Sequence, residues 1–410
     1  MFRSLRVPPV LDKFFHTLHP HFHWNHFAYF RLLVVVIAFA WGRRNVASLY
    51  RYLDAPPHRR RFHNFLLVAR WAPEAALRQK AQEVVMALHP GKGETRSLVI
   101  DDSKTAKRGP HMDAVAKMKD PITAGYSQGH QYVCAIVRFR DQVIPSGIRL
   151  YVKREYCPAL DLPFRKTTEL AAQLRREFEA PAGVKVVVLF DPYDRCRGVV
   201  QACRERHVRF ASTLKSTRRL FKASWKLQAG RYGRTLFRRR RTATLVLATP
   251  HGPARYRFID AGWLEVSTLG PLHVGFSRKG TAKHLLGLVP DDSELSAPGL
   301  MQTYETRWAV EPFFKASKQL LGLGQYQNRP YRAAVTHLHL VCLADALLTH
   351  LRIMRPGAQG QRRHDKAAHW STAAAQQQLR GLIWDDIIAD LKGKTHSEPV
   401  LTALERLRVA

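Results

Sequence analysis

Apolar positions recur at helical spacing through Phe27 to Trp41, Val46 to Leu53 and Phe62 to Trp71, which predicts a helical region over residues 1–92. Pro56 and Pro57 separate two of these segments, and Arg59, Arg60 and Arg61 open the next. The longest apolar run, Leu32 to Trp41, reads as a buried helix. It is far short of the roughly 20 residues that a membrane-spanning helix needs, and too far from the start for a signal peptide.

From about residue 94 the pattern changes. Leu98-Val99-Ile100 is a short continuous apolar run ending in Asp101-Asp102, as a buried central strand would. Gln131 to Phe139 and Ile148 to Val152 read as two further strands, with a connection short enough for an antiparallel ladder. Residues 165 to 179 read as a helix. Lys185 to Phe190 repeats the buried strand and ends in Asp191; a helix from about Asp194 to Arg206 and a strand from Val208 to Leu214 follow. Three strands, helix, strand, helix, strand is the βββαβαβ succession of an RNase H-like α/β core before its last helix.

Residues 215 to 282 have another texture, with arginine clusters and the β-rich stretches Thr242 to Ala248 and Trp263 to Thr268. They predict a β-rich basic insertion subdomain. Leu285 to Val289 returns to a buried strand, Pro290 to Gly299 is a loop, and a helix begins near Leu300. The expected organisation is a helical domain (1–92), a first core part (93–214), the insertion (215–282), the remaining core (283–353) and a C-terminal helical or tail region (354–410).

Charge adds a partner. Lys plus Arg number 66 against 32 for Asp plus Glu, a formal net charge of +34 spread over most of the chain. A surface so basic seeks a polyanion: nucleic acid first, because each neutralised phosphate releases counterions, with an anionic membrane surface as the alternative. The hydrophobic share of 46% excludes a disordered tail. The helical N-terminal region then reads as DNA-binding or as plain helical packing with a solvated basic face. Cys134, Cys157, Cys196, Cys203 and Cys342 are odd in number and lack paired C-x2-C spacing, which fits a reduced cytoplasm rather than a zinc site. His16, His19, His21, His23 and His26 read as a polar segment, since no second ligand cluster follows.

The most specific pattern is Tyr304, Arg307, Glu311 and Lys318, spaced Y-x2-R-x3-E-x6-K. At about 100° per residue all four project within one face of an ideal helix, with Phe313, Phe314, Leu320 and Leu321 roughly opposite. A carboxylate there can hold a metal ion, while Arg, Lys and Tyr can grip phosphate oxygens. Alone, the pattern is also satisfied by an exposed helix with an Arg307–Glu311 ion pair, and either strand-end Asp by a turn or cap. Pro312 would kink the helix or start it there, leaving Tyr304 and Arg307 on a preceding turn.

Three acids in this order, on these elements, resemble the Asp-Asp-Glu transposases of insertion sequences, in the group whose last helix carries the Tyr-Arg-Glu-Lys signature. The resemblance covers about residues 95 to 350. It implies Asp102, Asp191 and Glu311 as catalytic metal ligands, and Tyr304, Arg307 and Lys318 as holders of DNA phosphates. Asp102 is chosen over Asp101 because the family's ligand directly precedes a short hydroxyl residue, here Ser103. The family also carries a β-strand insertion between the second Asp and the Glu, whose arginines, here including Arg238, Arg239, Arg240 and Arg241, would contact transposon-end DNA. Trp308 reads as a core aromatic.

The resemblance implies two Mg2+ ions, replaceable by Mn2+ because the ligands are hard oxygens, serving strand cleavage and transfer of 3′-hydroxyl ends into target DNA. It further implies double-stranded DNA as partner, no membrane, a DNA-bound homodimer, and a bacterial cytoplasmic, nucleoid-associated setting. The rival readings are an RNase H-like nuclease or resolvase that cuts without joining, and a non-catalytic DNA-binding descendant.

Overall fold

The computed structural model describes residues 7–53, 58–109, 111–119, 125–180, 183–191, 197–222, 225–249, 252–280, 282, 285–290, 297–354 and 371–392. The Pro56-Pro57 break, the start of the helix expected from Asp194, most of the 290–299 loop and most of the 354–410 tail lie outside these residues.

The N-terminal region forms α1 (Asp12–Phe15), α2 (Trp24–Phe39), α3 (Val46–Leu49), α4 (Arg59–Val68) and α5 (Pro73–Met86), of which α2, α3 and α4 fall on the three periodic segments. As the apolar run predicts, α2 is buried: Val34, Val35, Val36 and Ile37 are at most 1% exposed. Asn45 caps α3 by accepting from the Ser48 N–H at 2.9 Å. Pro73 begins α5, where no helical N–H is lost.

The core sheet follows as β1 (Thr95–Ala106), β2 (Ala116–Lys119), β3 (Tyr126–Phe139), β4 (Gln142–Tyr151), α6 (Thr167–Glu177), β5 (Lys185–Phe190), α7 (Arg197–Arg204) and β6 (Arg209–Leu214). β1, β3 and β4 are antiparallel neighbours, while β5 pairs parallel with β1 and β6 parallel with β5. The RNase H-like succession is therefore present, with the short β2 added along β3.

β1 does not stop at its two aspartates, as the sequence suggested. Antiparallel pairing with β3 carries it on to Ala106, whereas its parallel partner β5 ends at the pair Ile100↔Phe190. Polar residues 102–105 are tolerated in the strand because β3 satisfies their backbone on one side while β5 no longer pairs on the other.

The next segment holds β7 (Arg219–Lys222), β8 (Trp225–Gln228), α8 (Ala229–Arg239), β9 (Ala243–Thr249), β10 (Gly252–Val266) and β11 (Gly270–Lys279), followed by β12 (Leu286–Pro290). These strands do not form a sheet of their own. β11 pairs with β12 and β12 with β6, so the strands hydrogen-bond into one 12-stranded sheet among the described residues. The region is β-rich, but α8, which periodicity did not reveal, carries part of its arginine run.

Alternation along the strands sorts side chains between two layers. Val99, Tyr132 and Leu189 face the layer of α2, α9 (Ala297–Glu305), α10 (Val310–Leu320) and α11 (Tyr331–Met354). Ile100, Val133 and Phe190 face α5, α6, α7 and α8. α11 is long and apolar enough to cross a membrane, yet 89% of its most apolar window is buried in the molecule. α12 (Thr372–Lys392) closes on the N-terminal helices: Gln376 donates to the Ala38 carbonyl at 2.7 Å and Arg380 to that of Phe39 at 2.9 Å.

Candidate active site

Parallel register builds the site. Ile100 is paired with Phe190, so the next residue on each strand, Asp101 and Asp191, emerges on the same face. That is the face of Val99 and Leu189, against which α9 and α10 pack. Asp102, one residue on, turns to the opposite face, where its carboxylate accepts from the Gln131 amide. The structure therefore sets Asp101, rather than the expected Asp102, beside Asp191.

Arg307 joins the pair. Its Nη1 lies 3.3 Å from Asp101 Oδ2 and 3.4 Å from Asp191 Oδ1, with the Arg307 side chain only 7% exposed. Arg307 Nε donates to the Tyr304 hydroxyl at 3.1 Å, and that hydroxyl donates to Asp191 Oδ1 at 3.3 Å. Further along the same side, Lys318 Nζ donates to Ser103 Oγ and to the Lys104 carbonyl, both at 2.8 Å. Lys318 thereby serves the open edge of β1.

The segment carrying these residues is not one helix. α9 ends at Glu305, a 3-10 turn spans Thr306–Ala309, and α10 starts at Val310. Pro312 is the third residue of α10, in the first turn, where helical N–H groups lack intrahelical partners and a proline costs no hydrogen bond. The 3-10 turn breaks the ideal single face, yet Tyr304, Arg307 and Lys318 all reach the β1–β5 edge. Phe313, Phe314 and Leu321 are buried, as the opposite-face reading requires.

Glu311 lies between Arg307 and Lys318 in the sequence, in the first turn of α10, and is exposed. Among the described residues, no three His, Cys, Asp or Glu side chains stand together as a metal set, so Glu311 is not gathered with the two aspartates. Trp308, read from sequence as a core aromatic, is 46% exposed instead, with the Arg307 guanidinium 5.2 Å from its ring centroid. The 3-10 turn rotates it outward while Arg307 points in. Arg238 and Arg239 end α8, Arg240 and Arg241 follow it, and all four are exposed.

Burial and like charge perturb the acids at the notch. Burial first, then the negative charge of Asp191, pushes the Asp101 carboxyl up to about 7 against the opposing pull of Arg307. Asp102 is also raised by burial, offset by its hydrogen bond from Gln131. Burial raises Tyr304 and lowers Lys318. The Asp101 and Asp191 carboxylates converge on one Arg307 nitrogen, and their hard oxygens are donors of the kind that suit a divalent ion.

Asp101 and Gln131 were within reach of sequence reasoning, but the parity of β1 against β5 was not, because both strands are apolar on both faces. No curated protein matches the chain. The sequence profile of the DDE superfamily endonucleases matches residues 17–263, more than half of the chain, and takes in Asp101, Asp102 and Asp191. With both strand-end aspartates inside the match and an RNase H-like sheet holding them, the chain belongs to the DDE superfamily endonucleases.

Proposed function

We propose that the chain is a DNA transposase of the insertion-sequence type, cleaving element ends and joining their 3′-hydroxyls to target DNA. The observation that carries this reading is the convergence of Asp101, Asp191, Arg307 and Tyr304 at the β1–β5 notch, with Lys318 on the same side. The metal ligands proposed are Asp101, Asp191 and Glu311, with Asp101 in the place that the resemblance gave to Asp102. Two Mg2+ ions, or Mn2+, bound there would supply activation of the attacking hydroxyl and neutralisation of phosphate charge.

The chain's own residues do the rest. Asp101 and Asp191 set two carboxylates at the point where the sheet opens, and Glu311, exposed in the first turn of α10, is the third ligand of the proposed set. Arg307, Tyr304 and Lys318 hold phosphate oxygens beside the scissile bond, which positions the reacting strand. Arg238 to Arg241 contact the phosphate backbone away from the chemistry. The partner is double-stranded DNA, at element ends and at target, bound by a homodimer in the cytoplasm with the nucleoid.

The test uses DNA flanking the coding sequence as substrate with Mg2+. End-specific cleavage plus joining of precut ends to a plasmid is expected, both abolished in Asp191→Asn with DNA binding nearly intact. Cleavage without joining would favour a resolvase-like nuclease, and binding with no metal-dependent cleavage would leave only a DNA-binding descendant.

A further inference from the structure

We infer that Arg307 is a built-in counter-ion of the metal-free site, occupying the position between Asp101 and Asp191 that a divalent ion takes, so that metal and guanidinium exclude one another. This deepens the proposed function and rests on its assignment of those two aspartates. One nitrogen, Nη1, serves both carboxylates, at 3.3 and 3.4 Å. Charge-assisted N–H···O contacts close to about 2.7–2.9 Å when free to do so, so the bridging nitrogen holds each partner loosely. A divalent ion between the two carboxylates carries twice the charge of the guanidinium and attracts each of them more strongly at equal distance. Lys318 donates instead to Ser103 and the Lys104 carbonyl.

The displaced side chain has somewhere to go. The guanidinium already lies 5.2 Å from the centroid of the exposed Trp308 ring, a flat surface on which Arg stacks. From there it reaches outward to a phosphate. A phosphate that draws Arg307 off the aspartates frees them for metal, and metal that expels Arg307 frees it for phosphate. By linkage the two ligands then strengthen one another's binding by the same factor. The site therefore resists loading with metal until DNA arrives.

The experiment is calorimetric titration with Mn2+ at pH 8, without DNA, of the full chain and of Arg307→Gln and Asp191→Asn. The expected result is metal binding about tenfold or more tighter in Arg307→Gln, because a competing cation is gone, and binding lost in Asp191→Asn. Equal or weaker binding in Arg307→Gln, with binding still lost in Asp191→Asn, overturns the counter-ion alone. Wild-type binding in Asp191→Asn overturns the site assignment beneath it as well. Should Arg307→Gln fail to fold, Mg2+ titration of the unaltered chain decides the matter. A fluorescence change that follows metal saturation and disappears in Trp308→Phe supports displacement, and saturation with no Trp308-dependent change overturns it.

Discussion

Asp101 and Asp102 are neighbours in sequence and strangers in space, because consecutive side chains leave a strand on opposite faces. The one shares its face with Asp191 and Arg307, the other with Gln131. Asp101→Asn is therefore expected to cut Mg2+-dependent cleavage by more than about a hundredfold, beyond the roughly 10–100-fold that residues behind a metal ligand command, while Asp102→Asn retains most activity. Rates of end cleavage on folded protein check this, and the reverse order would return the ligand to Asp102. Glu311→Gln is expected to abolish cleavage and spare DNA binding, since it removes a ligand and no phosphate contact. Persistence of cleavage in that variant would remove Glu311 from the set. The residue types of the site were readable in the Tyr-Arg-Glu-Lys spacing and the two strand ends. Which of two adjacent aspartates faces inward was not, because it depends on a pairing partner more than eighty residues away.

At the scale of elements, strands and helices were legible wherever burial imposed a period. The buried runs of β1, β5 and β6 and the apolar stretch of α2 stood out. The continuation of β1 through Ser103 to Ala106 did not, because polar residues enter that strand only through its ladder with β3. α8 hid for a related reason: arginines dominate the run that ends it, and its buried side rests on Ala229, Gly230, Gly233 and Leu236, small residues for the most part that carry little apolar signal. α11 carries a testable oddity. Asp345 is buried, and that burial, outweighing Arg352, pushes its carboxyl up to about 7 from the ordinary 3.8. A carboxyl raised on folding contributes stability that is complete below about pH 4 and lost as pH rises to about 7. Asp345→Asn should therefore outlast the unaltered chain by about 2–4 kcal/mol at pH 8, an advantage gone by about pH 4. Denaturant melts at both pH values test it, and a pH-independent difference would refute the shift.

At the scale of the whole molecule, the net charge of +34 and the single sheet act together. Because β10 and β11 are hydrogen-bonded through β12 to β6 and the core strands, basic residues on that side are held in a fixed relation to the β1–β5 notch. Neutralising Arg238 to Arg241 should weaken DNA binding and lower the slope of log affinity against log salt by up to about 0.9 for each phosphate no longer neutralised. An unchanged slope would count against those arginines as DNA ligands. The same unity shows in the apolar core, where α2 is covered by α11 and α12, elements from the other end of the chain. During synthesis that cover comes late. Nearly 300 residues separate the end of α2 at Phe39 from the start of α11 at Tyr331, which at ~5–20 residues per second is roughly 15–60 s of translation. For that interval the side of α2 that α11 and α12 will cover stays bare, with only its N-terminal neighbours, such as Phe15, Phe22 and Trp71 around Phe30, to pack against.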